Sequence, residues 1–331
     1  MTPAHTLNLL GVLSESKRII NTHSRHFLAL SVLFLLPLSC AIVIYPTLYL
    51  PTRTPTPAPD VVSADFNYTF NSPQTLIFPL IYTFLTYLIS ICALATITYS
   101  TYHGFYGRPV KFFPAIKSIL FSFLPLVSTA LAAKFFICLI SLSFLMFVIV
   151  IIKLVQNLGL GFVIDYNSTY FIWFCSVIIL VLTLIMLYFQ VIWGLASVIA
   201  VTESKWGFEP LWRSSYLVNG MRSVSLSVVL FFGVLIGVWV WMATNSVLGF
   251  NFVGDWRSWD FVLQTVISSC FLSLLTLLLL HYTAANTVLY MYCKALHGEL
   301  AIEIAEEFAR EYVSLPFDDA KVPHIVTVVS G

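Results

Sequence analysis

Polar side chains recur at every fourth position in the last long apolar stretch of the sequence, at Tyr282, Asn286, Tyr290 and Lys294. Residues four apart lie on one face of an α-helix, so this spacing predicts a single polar ridge. Such a ridge can line a water-filled cleft or a ligand cavity, and the adjacent His281 can relay protons or bind a ligand. The alternative is structural: these groups hydrogen-bond neighbouring helices, and His281 is a packing residue.

Two further polar side chains interrupt long apolar runs elsewhere in the chain. The ammonium group of Lys134 can bind an anionic lipid headgroup, or its alkyl chain can carry the charge to the membrane surface. The amide of Gln190 can line a cavity or hydrogen-bond another helix, whereas Gln264, near the edge of its run, is interpreted as structural. The residues predicted to line a cavity or to contact lipid are His281, Tyr282, Asn286, Tyr290, Lys134 and Gln190.

The sequence lacks the motifs that would carry enzymatic chemistry. It contains no HExxH motif, no P-loop, no recognisable Ser-His-Asp set, and no Asp or Glu within its long apolar runs. The six cysteines form no CxxC pair and are expected to be free and buried. The net charge of +1, without a basic stripe, argues against a nucleic-acid partner. We therefore predict a protein that is not an enzyme, with no catalytic residue, cofactor or metal.

The elements that carry these residues are long apolar helices. Hydrophobic residues make up 59% of the chain and charged residues only 9%, against about 25% in an ordinary soluble domain. The mean hydropathy of +0.93 and repeated long apolar runs indicate an integral membrane protein. We predict an all-α fold: a polytopic membrane helix bundle with six transmembrane helices and short cytoplasmic interfacial amphipathic helices. The predicted spans cover residues 27–50, 76–99, 119–152, 171–199, 224–244 and 261–294.

The third apolar run, 119–152, is too long for one straight span of about 20 residues. It can form two spans, or an interfacial helix that leads into one tilted and kinked span. Two spans would need a turn near Lys134, where the sequence has no Gly, Pro or Asn, whereas Pro125 can bend a single helix. We therefore predict the second arrangement.

Short basic amphipathic segments precede alternate spans, at residues 6–22, 109–120 and 209–222. In the last segment, Glu209 and Pro210 mark a helix start. Trp212 and Tyr216 then fall on one side of that helix, where their rings can lie at headgroup depth. We predict three units, each a surface helix followed by a two-span hairpin. The alternative for the last segment is an ordinary solvated loop.

The distribution of charge predicts how the chain is threaded. Of the 16 Lys and Arg residues, twelve fall on one side of a six-span path, three on the other, and Lys134 lies within a span. Because cytoplasmic segments carry the excess of Lys and Arg, both termini are predicted to be cytoplasmic, in the endomembrane system or the plasma membrane. Acceptor sequences for N-glycosylation at Asn67 and Asn167 fall on the opposite side and are predicted to be accessible to the glycosylation machinery.

The predicted organisation has three regions. They are a cytoplasmic amphipathic segment, 1–26, a transmembrane domain, 27–294, and an acidic cytoplasmic tail, 295–331. Ile304, Phe308 and Tyr312 recur at helical spacing and predict one short helix in the tail. Membrane lipids are the predicted partners, and the tail can also contact a protein partner.

The sequence VIAVTESKWGFEPLWRSSYLVNGMRS resembles part of the multi-pass membrane domain found with some glycerophosphodiester phosphodiesterases and in free-standing bacterial relatives. The likeness includes Glu203 after an apolar span, Gly207, and the Leu-x-x-Ser pattern of 211–215, and it extends to NTHSRHFLALSVLFLLPLS and ANTVLYMYCKALHGE at the two ends. The chain is also similar to a plant family of uncharacterised six-span proteins, through 288–294 and the EYVSL motif at 311–315. This resemblance implies a fold and a membrane location. It implies no phosphodiesterase site, because that catalytic domain is a separate soluble barrel.

Two classes of function remain. Short loops and the absence of acidic residues from the spans favour a non-enzymatic membrane scaffold or assembly protein. The polar ridge favours a carrier or lipid-handling protein with a central polar cavity lined by the sixth span. A cavity that reaches the middle of the membrane and contains His281 and Asn286 would support the carrier, and a dry bundle would support the scaffold.

Overall fold

The computed structural model describes residues 8–49, 73–157, 169–248 and 259–313, and every regular element within these ranges is helical. In chain order, the helices are α1 (Leu9–Thr22), α2 (Ser24–Leu30), α3 (Leu36–Tyr49), α4 (Pro73–Phe105), α5 (Phe112–Asn157), α6 (Thr169–Trp193), α7 (Ala196–Thr202), α8 (Glu209–Leu217), α9 (Arg222–Leu248), α10 (Trp259–Leu296) and α11 (Glu299–Val313). A π-helical segment, Ser31–Leu35, joins α2 to α3.

Six stretches are long and apolar enough to cross a membrane, which confirms the predicted all-α, six-span bundle. They are Ser24–Tyr45, Ile77–Phe105, Phe112–Leu154, Ile172–Thr202, Arg222–Val247 and Val262–Leu296. The predicted acceptor residues Asn67 and Asn167 lie outside the described residues. The short helix predicted in the tail is α11, which begins at Glu299.

The third span is one continuous helix of 46 residues, α5, so the prediction of one span rather than two is confirmed. The predicted surface helix 109–120 is not a separate element, because α5 begins at Phe112 and continues through Pro125. At 1.5 Å per residue, a helix of 46 residues is about 69 Å long, more than twice the roughly 30 Å hydrocarbon core. Helix α5 must therefore tilt steeply or extend beyond the bilayer.

Helix α10 lies at the centre of the bundle. Ala284, Ala285, Val288 and Leu289 are almost completely buried, and small residues at this level allow neighbouring backbones to approach closely. Residues from most of the other helices pack in the same apolar core, among them Val12 of α1, Ile97 of α4, Ile199 of α7 and Phe232 of α9. The helix that carries the predicted polar ridge is thus surrounded mainly by protein over this part.

Helix α1 packs against the bundle through one face. Val12, Ser16, Ile19 and Ile20 are buried, whereas Leu10 is 76% exposed. The buried residues follow the i, i+4, i+7, i+8 spacing expected of an amphipathic helix. The predicted surface segment 6–22 therefore covers one end of the core rather than standing apart from it.

A tight turn connects α7 to α8 and is attached to α5. Ser204 and Gly207 both have positive φ, 51° and 64°, which reverses the chain within a few residues. The Gly207 N–H donates a hydrogen bond of 3.1 Å to Oγ of Ser128. The turn is therefore fixed by α7 and α8, which it connects, and by the hydrogen bond to α5.

Helix α8 begins at Glu209 with Pro210 in its first turn, as predicted, so the alternative of an ordinary loop is wrong. Pro210, Leu211, Ser214 and Leu217 form its buried face. Trp212 is 76% exposed and points away from the bundle, whereas Tyr216, 55% exposed, has its ring 5.0 Å from that of His297. Only part of the predicted aromatic side is therefore open to the surroundings.

Candidate functional site

One end of the bundle carries a network of charged and phenolic side chains, which we call the ionic cluster. Its members are Tyr102, Tyr106, Glu203, Arg213, Tyr290, Lys294, Glu299 and Glu303. They belong to the ends of α4 and α10, the turn after α7, and helices α8 and α11. The cluster therefore joins the ends of the second, fourth and sixth spans.

Glu203 connects two of these elements. The fully buried Tyr290 donates a hydrogen bond of 2.9 Å to Oε1 of Glu203. Nε of Arg213 lies 3.5 Å from Oε2 of the same carboxylate, which is an ion-pair distance, although this nitrogen donates no hydrogen bond. Glu203 thus holds α10 and α8 together through one side chain.

Arg213 extends the network to the last helix through an ion pair with Glu299. Burial alone would lower the pKa of Arg213, but the hydrogen bond to Glu299 and the charge of Glu203 raise it above its ordinary value. The guanidinium group therefore stays charged between two carboxylates. The Cζ atom of Arg213 also lies over the ring of Tyr216, 5.7 Å from the ring centroid.

Glu303 forms the second half of the cluster. Nζ of Lys294 donates a hydrogen bond of 2.7 Å to Oε2, and the hydroxyl of Tyr102 donates one of 2.9 Å to Oε1. Tyr106 adds a longer contact of 3.3 Å. Partial burial alone would raise the pKa of Glu303, but the hydrogen bonds from Lys294 and Tyr102 outweigh burial and lower it. A charged Glu303 therefore fixes α11 against α4 and α10.

The predicted polar ridge on α10 is divided among several environments. Tyr290 and Lys294 belong to the ionic cluster. Asn286 is 9% exposed within the packed core, and the ring of Tyr282 lies 5.5 Å from that of Phe232. Nδ1 of His281 lies 2.9 Å from the carbonyl oxygen of Leu277 on its own helix. Of these residues, Tyr290 and Lys294 hydrogen-bond other elements within the described ranges, and the role of the ridge as a whole stays a prediction.

A cavity of about 350 Å³, which we call the lysine cavity, lies between α4, α5, α6 and α7. Lys134 and Gln190, which the sequence singled out separately, both line it, whereas His281 and Asn286 do not. The other polar residues of its wall are Tyr87, Ser90, Thr129 and Ser197. The rest of the wall is apolar: Ile91, Leu94, Leu126, Ala130, Ala133, Ile137, Met186, Phe189, Trp193, Ala196 and Leu211.

Several polar groups of the lysine cavity have no protein partner within the described ranges. Lys134 and Gln190 are exposed side chains, and no hydrogen bond or ion pair involves either of them there. Thr129 is only 4% exposed, and its hydroxyl is buried without a hydrogen-bond partner. The wall of the cavity therefore contains one positive charge and several further polar side chains among apolar ones.

Sequence reasoning missed Glu303, Tyr102 and Thr129. Tyr102 and Tyr106 are four residues apart, as are Glu299 and Glu303, so their spacing could have indicated two facing polar stripes at helix ends. Thr129 carries no comparable pattern, because an isolated threonine in an apolar helix ordinarily donates to its own backbone. In the part of the chain that the structure describes, no group of three or more His, Cys, Asp or Glu residues could hold a metal ion.

The fold and these two sites define a polytopic, all-α protein with six helices suited to crossing a membrane. The chain matches, over residues 52–323, the family described as a domain of unknown function, DUF8558, and it belongs to that family. The match includes the residues of the lysine cavity and of the ionic cluster. No curated protein and no solved structure matches the chain. The resemblance to membrane domains associated with phosphodiesterases stays a prediction.

Proposed function

We propose that this protein is a non-enzymatic integral membrane protein that binds lipid within the bilayer. The observation that carries the proposal is the lysine cavity, in which an unpaired ammonium group lies between helices that are apolar enough to span a membrane. A volume of about 350 Å³ is within the range of roughly 300–1,000 Å³ that is typical of ligand pockets. In a membrane, lipid is the most abundant molecule next to such a cavity.

The exposed apolar surfaces beside the cavity support entry of a lipid from the surrounding bilayer. No residue is buried in the most apolar stretch of α5 or in that of the fourth span. Leu131 and Phe135 of α5 and Leu184 of α6 are exposed close to the lining positions. In a membrane, acyl chains would cover these faces, so a lipid can enter the cavity without crossing the packed core.

A membrane scaffold or assembly protein is the second candidate, and the ionic cluster favours it. The cluster uses its charged groups in pairs to fasten α8, α10 and α11 to one another. On the ridge of α10, Asn286 and Tyr290 are buried and Lys294 is paired with Glu303, as expected of a bundle that is built for rigidity. We further propose cytoplasmic termini, an endomembrane or plasma-membrane location, glycosylation at Asn67 or Asn167, and a protein partner for the acidic tail.

Measurement of bound lipid tests the lipid-binding proposal. We expect Ala130→Phe, which fills the lysine cavity, to reduce the number of lipids that remain on the protein released from lipid nanodiscs in native mass spectrometry. The matched control is Leu131→Phe on the neighbouring, exposed position of the same helix, which should retain lipid like the wild type. Equal lipid retention by both variants would favour the scaffold over lipid binding.

A further inference from the structure

We infer that the lysine cavity selects an anionic lipid and holds the phosphate or carboxylate of its headgroup on Lys134, Thr129 and Gln190. This inference rests on the proposed lipid binding and adds the chemical class of the ligand and the residues that recognise it. The acyl chains would follow the apolar wall, which includes Ile137 and Met186, toward the exposed faces of α5 and α6.

The composition of the cavity wall indicates that the ligand is negatively charged. Among the described residues that line the cavity, Lys134 is the only Lys or Arg, and none is Asp or Glu. An ammonium group in an apolar run is costly unless a counter-charge or water accompanies it, and no described residue supplies that counter-charge. An anionic headgroup beside the cavity would neutralise the ammonium group at the depth where the helix holds it.

The hydroxyl of Thr129 provides an independent observation. Helical Ser and Thr side chains ordinarily donate to a carbonyl three or four residues earlier, as Ser141 does to Ile137 at 2.8 Å. For Thr129 those positions are Leu126 and Pro125, and the carbonyl oxygen of Pro125 accepts the hydroxyl of Ser128 at 3.0 Å. The Thr129 hydroxyl is left without a partner, although it is buried and its residue lines the cavity. Rotation about χ1 of Thr129 would turn this hydroxyl toward a ligand oxygen in the cavity.

Gln190 completes the recognition set from the opposite helix. Its amide can donate two hydrogen bonds, and Lys134 can donate three. Hydroxyl and ammonium donors on α5 and an amide donor on α6 suit a phosphate or carboxylate, which offers several acceptor oxygens. A zwitterionic headgroup gains less from this set, because its own ammonium group would be repelled by Lys134. The cavity therefore discriminates by charge, and its apolar wall adds affinity for any acyl chain.

The test compares phosphatidic acid with phosphatidylcholine on the full-length protein in nanodiscs, with bound lipids counted by native mass spectrometry. We expect the wild type to prefer phosphatidic acid and Lys134→Met to lose about tenfold of that preference, the range expected for a hydrogen-bonded charged contact. Lys134→Arg should keep the preference, and Thr129→Val should weaken it. Lys153→Met is the matched control, because Lys153 is an exposed lysine on the same helix that does not line the cavity.

Three results would overturn the inference. The first is an unchanged preference in Lys134→Met, and the second is an equal loss in Lys153→Met, which would indicate general surface charge. The third is displacement of phosphatidic acid by millimolar inorganic phosphate, which would show a site for soluble phosphate instead of a lipid. If Ala130→Phe still removes lipid in these cases, the proposed lipid binding stands while the headgroup assignment fails. Elution volume and melting temperature confirm that each variant is folded.

Discussion

The carboxylate of Glu303 accepts hydrogen bonds from Lys294, Tyr102 and Tyr106, and its negative charge strengthens all three contacts. Its pKa is lowered from the ordinary value of 4.5. A group whose pKa is lower in the folded protein stabilises the fold fully above the unfolded pKa, and this stabilisation is lost as the pH falls through the folded pKa. The contact between α11 and the bundle is therefore sensitive to acid and insensitive to mild alkali.

We predict that Glu303→Gln lowers the melting temperature in detergent at neutral pH. The difference from the wild type should shrink as the pH falls below 4.5, the ordinary value of a glutamate, because the wild-type carboxylate then takes up a proton. Tyr102→Phe, which removes one donor but keeps the charge, should give a smaller loss of about 1 kcal/mol. A difference between wild type and Glu303→Gln that stays constant from neutral to acidic pH would contradict this role.

For individual residues, the sequence predicted which side chains share one face of a helix, but it did not predict which residues of other helices they contact. The four-residue spacing put Tyr290 and Lys294 on one face, and both belong to the ionic cluster. Their partners Glu203 and Glu303 were not predicted, because periodicity along one helix carries no information about the helix that faces it. Lys134 and Gln190 were likewise found one at a time, and only the packing of α5 beside α6 brings them to one cavity.

At the scale of elements, the turn between α7 and α8 depends on the backbone of Gly207. Its φ of 64° lies in the left-handed region, and nothing lies within 4 Å of the place where a Cβ would be. We predict that Gly207→Ala destabilises the protein by about 1 kcal/mol, because the cost is conformational and comes without a clash. The measurement is the midpoint of thermal unfolding in detergent.

Gly233→Ala supplies the matched control for Gly207→Ala. Gly233 also has open space around its Cβ position, but it lies within the regular helix α9. Alanine stabilises a helix interior relative to glycine by about 0.5–1 kcal/mol, so the two identical substitutions should have opposite signs. A Gly207→Ala variant that melts at or above the wild-type temperature would mean that the turn does not hold this conformation.

The predicted boundary between the segment 109–120 and the third span was wrong. The segment 109–120 looked separate because glycines, prolines and charges surround it, yet α5 starts at Phe112 and continues into the span. Proline at 125 removes one backbone donor, and neighbouring residues can keep the helix continuous around that loss. Sequence composition distinguishes a surface environment from an apolar one, but it does not show whether the backbone breaks where the environment changes.

At the scale of the whole molecule, several helix ends meet on one side. Tyr102, at the end of the second span, contacts Glu303 after the sixth span, and Glu203, after the fourth, contacts Tyr290. Nε2 of His26, at the start of the first span, lies 2.9 Å from Oγ of Ser100 near the end of the second. The beginning of span one and the ends of spans two, four and six therefore share one end of the bundle, which is the arrangement that six crossings require.

These contacts between helix ends agree with six crossings, and they do so independently of the charge distribution. An even number of crossings places both termini on the same side, and the excess of Lys and Arg on that side predicts that it is cytoplasmic. We predict that epitope tags at both termini are digested by protease in sealed, cytoplasm-out vesicles, while a tag inserted in the segment 51–72 is protected. The same threading predicts that Asn67 and Asn167 face the lumen.

Glycosidase treatment provides the second measurement, because it reports the lumenal side directly. Loss of a mobility shift in Asn67→Gln, with the shift retained in the wild type, would show that this acceptor is modified; Asn167→Gln tests the other. An engineered acceptor sequence in 51–72 serves as the positive control when neither native residue is modified. Protection of the C-terminal tag together with digestion of the N-terminal tag would require an odd number of crossings, and the contact of Glu303 with Tyr102 could then not form at a common membrane surface. That single result would overturn both the topology and the position of α11 in the ionic cluster.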